Sequence, residues 1–134
     1  MASHLSSRIS ILCVDDDTEC LEVRQLLLEE AGYQVRVCAD GEQGLEVFSS
    51  TQVDLVILDY SLPALNGAEV AGAMRSLKPG VPIVMVAGHP ECPHDVDGQV
   101  DVYMAKSSGA KELLKEIERL LSMTTVEENR LGAG

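Results

Sequence analysis

Five short apolar runs, separated by stretches of helical periodicity, constrain the fold of this chain more than any other feature. Residues 9–14 (ISILCV) are apolar and β-branched, and Asp15-Asp16-Asp17 ends them. Residues 33–38 (YQVRVC) alternate, as a half-buried strand does. Residues 54–58 (DLVIL) are apolar at consecutive positions, which suits a central parallel strand covered on both faces. Residues 82–86 and 100–104 supply a fourth and a fifth strand. Between the first two strands, Cys20, Val23, Leu27 and Ala31, with Leu28 beside Leu27, recur at helical spacing until Gly32 stops the helix. Residues 41–50 and 68–77 predict two further helices. Ala110, Leu113, Leu114, Ile117, Leu120 and Leu121 form a last amphipathic stripe, with Ser107 or Ser108 as its N-cap. Strand followed by helix, repeated, predicts an α/β fold with a parallel sheet and helices on both faces.

Composition narrows the function. The chain has 134 residues, enough for one domain with its own core. Ten basic against 22 acidic residues give a net charge of −12, which argues against nucleic-acid binding and against an anionic membrane surface. No apolar run approaches the ~20 residues of a membrane span, and residues 1–10 lack the apolar stretch of a signal peptide. Cys13, Cys20, Cys38 and Cys92 contain no C-x-x-C spacing and read as free thiols of a cytoplasmic protein. Residues 1–8 are expected to be an N-terminal tail, 9–123 the domain, and 124–134 a C-terminal tail or truncated linker.

Open parallel sheets bind ligands beyond the carboxyl ends of their strands. Asp15 and Asp16 end the first strand, Asp59 the third, Ala87-Gly88 the fourth, and Lys106 follows the fifth. These ends converge, so three carboxylates and an ammonium should share one site. Two carboxylates ~4–5 Å apart repel by about 3–4 kcal/mol at an effective dielectric near 20. A hard divalent cation with oxygen ligands relieves that repulsion, and Mg²⁺ suits a site that keeps several waters. Asp59 is then a candidate nucleophile for phosphoryl transfer, forming an acyl phosphate, with Lys106 contacting a phosphoryl oxygen.

The blocks ILCVDDD (11–17), VDLVILDYSLPALNG (53–67), VPIVMVAG (81–88) and VYMAKS (102–107) resemble the receiver domain of two-component response regulators over residues 9–123. The resemblance implies a flavodoxin-like, doubly wound, five-stranded parallel sheet of order 2-1-3-4-5. It implies Mg²⁺-dependent transfer onto Asp59 from a sensor histidine kinase or a histidine phosphotransfer protein. By motif position, Asp16 is the direct metal ligand, Asp15 acts mainly through water, and Asp59 and the backbone carbonyl of Ser61 complete the protein ligands. Tyr103 matches the aromatic residue that changes rotamer on activation. No output partner is named by the sequence.

Two departures stand out. The family places Thr or Ser at the end of the fourth strand, where this chain has Ala87, so the hydroxyl that couples phosphorylation to the aromatic switch is absent. Residues 89–99 carry Pro90, Pro93 and Gly98, which predicts a shortened or missing fourth helix of one turn at most. That face commonly carries dimer contacts in the family, so a monomer or weak dimer is expected. His89, Cys92 and His94 cluster there with soft-metal chemistry, but without an evident fourth ligand they read as a solvated loop. Two other functions compete with the receiver. One is a pseudo-receiver that binds protein without phosphorylation. The other is an Mg²⁺-dependent aspartyl phosphohydrolase, which usually needs a second acid two residues after the nucleophile; Asp59-Tyr60-Ser61 lacks it.

Overall fold

The computed structural model describes residues 8–89, 91–96 and 98–133, with side chains as far as Met123. Five strands form one sheet: β1 Ser10–Val14, β2 Gln34–Cys38, β3 Leu55–Asp59, β4 Ile83–Ala87 and β5 Val102–Ala105. All neighbours are parallel, and the order is β2-β1-β3-β4-β5. Among the described residues, four helices connect and flank them: α1 Thr18–Glu30, α2 Gly41–Ser50, α3 Gly67–Leu77 and α4 Gly109–Ala133.

Strand periodicity builds two cores. Successive side chains of a strand point to opposite faces. Leu12 and Val14, Val56 and Leu58, and Ile83 and Met85 therefore meet Phe48 of α2 and Val70, Ala71 and Met74 of α3. Ile11 and Cys13, Leu55 and Ile57, and Val84 and Val86 face Leu21 and Leu28 of α1 and Leu113, Ile117, Leu120 and Leu121 of α4. Every residue of β1, β3 and β4 is buried, as the runs without alternation predict for parallel strands. Burial pushes the Cys13 thiol up to about 12, so it behaves as an inert core residue. The four cysteines form no disulfide.

Helix ends follow their local chemistry. Asp17 caps α1 by accepting from the Glu19 and Cys20 amides at 3.1 and 3.2 Å. Gly32, with φ 102°, ends α1 as predicted, its amide donating to the Glu29 carbonyl at 3.0 Å. Asp40 caps α2, and Asn66 with Glu69 forms a capping box on α3. The Lys78 ammonium donates to the Phe48 and Thr51 carbonyls at 2.6 and 3.0 Å, satisfying the end of α2.

The structure corrects one local expectation, on α1, and shows how α4 begins and ends. The stripe expected on α1 is only partly the buried one: Leu28 is buried as expected, but so is Leu21 from outside the stripe, whereas Val23 is 58% exposed, because two adjacent apolar stripes run along this helix. Ser107 and Ser108 lie in a 3₁₀ turn, Lys106–Ser108, that leads into α4. The backbone of α4 is helical to Ala133.

The crossover from β4 to β5 holds one short 3₁₀ turn, His94–Val96, among its described residues, in line with the proline content. Val96 is buried in the α2–α3 core. Arg75 of α3 secures the segment that leads from this turn into β5. Its guanidinium donates to the carbonyls of Pro79, Val81 and Gln99 and to the Asp101 carboxylate, which accepts the Ile83 amide at 2.7 Å.

Close approach at the end of β3 requires glycine at the start of α3. A Cβ on Gly67 would lie 2.5 Å from the Asp59 carbonyl oxygen and 2.6 Å from Tyr60 Cα, both backbone atoms. The Gly67→Ala variant is therefore expected to lose about 2 kcal/mol or more, with displaced Asp59 and Tyr60 amide resonances. Denaturant unfolding and amide spectra check this, and unchanged stability would show that the α3 start can retreat without penalty.

Candidate functional site

The carboxyl ends of β1 and β3 lie side by side, in register Val14 to Leu58. The next residue on β1 is Asp15, and β3 ends in Asp59. Both are withdrawn from solvent, at 0% and 2% exposure, while Asp16 is exposed. One carboxylate oxygen from each of Asp15, Asp16 and Asp59 falls within 4.8 Å of the others. Lys106, directly after β5, lies between the buried pair, with Nζ 3.1 Å from Asp15 Oδ2 and 3.2 Å from Asp59 Oδ2.

Backbone donors orient the two acids. Asp15 Oδ1 accepts from the Asp17 amide at 2.9 Å, and Asp59 Oδ1 accepts from the Ser61 amide at 3.3 Å. Asp15 Oδ2 is fully buried and ion-paired, yet it has no well-directed hydrogen-bond donor. Burial first, then the neighbouring Asp15 charge, raises the Asp59 pKa to about 6, against the opposing pull of Lys106. The Lys106 pKa is also raised: burial acts to lower it, but the two carboxylates together outweigh that effect.

These residues fit a hard cation. All three acidic side chains offer oxygen, the spacing is that of one coordination sphere, and a buried oxygen of Asp15 lacks a directed partner. Among the described residues, no other group of three His, Cys, Asp or Glu side chains is close enough to hold a metal. His89, Cys92 and His94 are not gathered into such a group.

The remaining predicted positions fall nearby. Ala87 is buried at the end of β4, one residue past the partner of Asp59, and pairs with Ala105 immediately before Lys106. Its side chain is a methyl group with no hydrogen-bonding atom. Tyr103 packs its ring against the α2–α3 core and donates its hydroxyl to the His89 carbonyl at 2.8 Å.

Two contacts were not anticipated. The Tyr60 hydroxyl lies 3.2 Å from both carboxylate oxygens of Asp95, tying the residue after Asp59 to the 3₁₀ turn. Thirty-five residues separate the pair, and no local signal marks it. Arg24 Nη1 lies 3.5 Å from Asp15 Oδ2. Here a signal exists: Arg24 follows Leu21 by three residues and precedes Leu28 by four, which places a charge within the buried stripe of α1.

The family model for the response regulator receiver domain matches residues 11–118. The chain belongs to the response regulator receiver family. Response regulator MprA of Mycolicibacterium vanbaalenii is 33% identical over 129 residues, covering 94% of this chain and 54% of the relative. MprA of Mycobacterium ulcerans is 32% identical, covering 90% and 53%. The chain thus spans about half the length of these relatives. Among solved structures, a CheY-like receiver domain protein from Methanospirillum hungatei superposes with a TM-score of 0.85 at 30% identity, over 90% of this chain and 99% of that one. TrrA from Thermotoga maritima, solved in complex with Mg²⁺ and BeF, gives 0.79 at 34% identity, over 84% and 98%. This receiver is a component of two-component signalling and has the flavodoxin-like sheet order of its family. Among the described residues, no helix is long and apolar enough to cross a membrane.

The raised Asp59 pKa has a stability consequence in metal-free protein. The folded value lies above that of the unfolded chain, so the group stabilises the fold least when ionised, and stability falls as pH rises toward and through about 6. Asp59→Asn is expected to be more stable than wild type at pH 8, by about 1–3 kcal/mol, with the advantage fading below pH 5. Denaturant melts at the two pH values check it, and a pH-independent difference would contradict the burial argument.

Proposed function

We propose that this receiver is a phosphorylation-controlled signalling module whose acceptor is Asp59 and whose donor is a phosphohistidine on a sensor histidine kinase or a histidine phosphotransfer protein. The observation that carries the reading is the Lys106 ammonium held between two buried carboxylates at the ends of adjacent strands. Such an arrangement is costly for stability alone, because repulsion and desolvation both act against it. It becomes useful when an anion arrives. The TrrA complex with Mg²⁺ and BeF supports the same reading by similarity.

In this scheme an Asp59 carboxylate oxygen attacks phosphorus in line with the donor. The O–P bond forms as the N–P bond breaks, and the electron pair returns to the donor imidazole nitrogen, which takes up a proton. Lys106 moves from the two carboxylates to a phosphoryl oxygen and offsets the charge delivered to the site. The Ser61 amide holds one Asp59 oxygen and leaves the other for attack. Asp15, Asp16, Asp59 and the Ser61 carbonyl would hold Mg²⁺, with Asp16 as direct ligand and Asp15 acting mainly through water. When bound, the ion supplies neutralisation of charge on the transferring group. The domain functions in the cytoplasm and releases no product of its own beyond slow loss of phosphate.

Ala87 shapes the response. A ligand shifts an equilibrium only through contacts that differ between states, and here no hydroxyl draws the end of β4 toward the phosphoryl group. Tyr103 and residues 89–99 then respond weakly to phosphorylation. Ala87 equally favours a second reading, a pseudo-receiver that binds its partner without phosphate; the intact acids and Lys106 favour the first.

Incubation with acetyl phosphate and Mg²⁺ is expected to add one phosphate by intact mass, lost in Asp59→Asn. Labelling of that variant would overturn the acceptor assignment, and no labelling of wild type would select the pseudo-receiver. A beryllofluoride titration followed by NMR is expected to shift residues around Asp59 strongly and Tyr103 slightly, with Ala87→Thr enlarging the Tyr103 response. Full-sized shifts at Tyr103 in wild type, unchanged by the substitution, would show that coupling runs through another route.

A further inference from the structure

Arg24 is placed as no ordinary surface arginine would be. It lies between Leu21 and Leu28 on the buried side of α1, its side chain only 11% exposed. Its Nη1 is fully buried, has no hydrogen-bond partner, and points its charge at Asp15 Oδ2 from 3.5 Å. A guanidinium stays protonated at any physiological pH. Burying one without directed hydrogen bonds is unfavourable unless an opposite charge compensates it. A helix pin built for stability would use directed, bidentate geometry. This contact is mainly Coulombic, and it acts on a carboxylate oxygen that is itself buried without a directed donor.

We infer that Arg24 is a positioning residue: a permanent internal counter-ion for Asp15 that sets the affinity of the acidic site for its divalent cation. The inference rests on the proposal that the three acids hold Mg²⁺. Three acidic side chains converge, and Lys106 is the cation shared by two of them. Arg24 adds a second positive charge that cannot leave. Metal-free protein is thereby relieved of part of its carboxylate repulsion. The same charge repels an incoming cation, so binding is held weaker than the acidic cluster alone would make it. Arg24 also frees Lys106. When that ammonium turns toward a phosphoryl oxygen, Asp15 keeps a partner.

Substitution separates charge from packing. Arg24→Met retains an unbranched side chain and removes the charge, while Arg24→Lys retains the charge and loses the fork. Mg²⁺ affinity is read from amide shifts of Asp16 and Ser61 in NMR titrations, and thermal midpoints are recorded with and without saturating Mg²⁺. Arg24→Met is expected to bind Mg²⁺ about tenfold more tightly, the effect of one unit charge ~7 Å from a divalent ion under water-like screening. Its midpoint should fall without metal and rise more than that of wild type on adding metal. Arg24→Lys should bind within about threefold of wild type. If Arg24→Met does not fold, Arg24→Gln is measured in its place with the same expectation. Equal affinities in wild type and the neutral variant overturn the inference and leave a structural pin. Absence of saturable Mg²⁺ binding in both overturns the metal reading and the inference with it.

Discussion

The structure turns on two carboxylates buried side by side. Asp15 and Asp59 lie at the ends of adjacent parallel strands, and parallel pairing brings those ends together whatever their chemistry. Water is excluded by the same packing that makes β1 and β3 a continuous apolar core. The acids therefore repel in a medium that screens them poorly, and the chain answers with cations drawn from two other elements. Lys106 comes from the end of β5 and Arg24 from the inner side of α1. Repulsion between the acids is thus balanced by positive charge drawn from elsewhere in the fold.

Around this site the fold has traded a helix for a strapped loop. Prolines and glycines between β4 and β5 leave one 3₁₀ turn among the described residues, so the covering of that edge rests on side chains instead of helix packing. Arg75 and Asp101 join the loop's end to α3 and to the start of β4. Tyr60 and Tyr103 hold its near side through Asp95 and the His89 carbonyl. Both tyrosines also lie near the acidic cluster in sequence: one follows Asp59, and the other lies three residues before Lys106. These hydroxyl contacts link the end of β3 and β5 to the crossover between β4 and β5.

Much of this was legible in the chain itself. Apolar runs of strand length without alternation suit strands covered on both faces, so β1, β3 and β4 and a parallel sheet were expected from the residues, whereas the strand order came from the family resemblance. Acids placed at two such strand ends, with a lysine after a third, define the site before any contact is known. Pro90, Pro93 and Gly98 forecast a shortened or missing fourth helix, because the penalty for proline in a helix is local, and one 3₁₀ turn is what the described residues hold there. Tertiary structure decided the rest. α1 carries two adjacent apolar stripes, and only packing against α4 and the sheet selects Leu21 and Leu28 over Val23. That choice turned Arg24 inward. The Tyr60–Asp95 contact and the sharing of Lys106 between Asp15 and Asp59 likewise depend on distances between remote residues. Periodicity reports which residues can share a face, whereas the partner each face meets is set by the whole chain closing on itself.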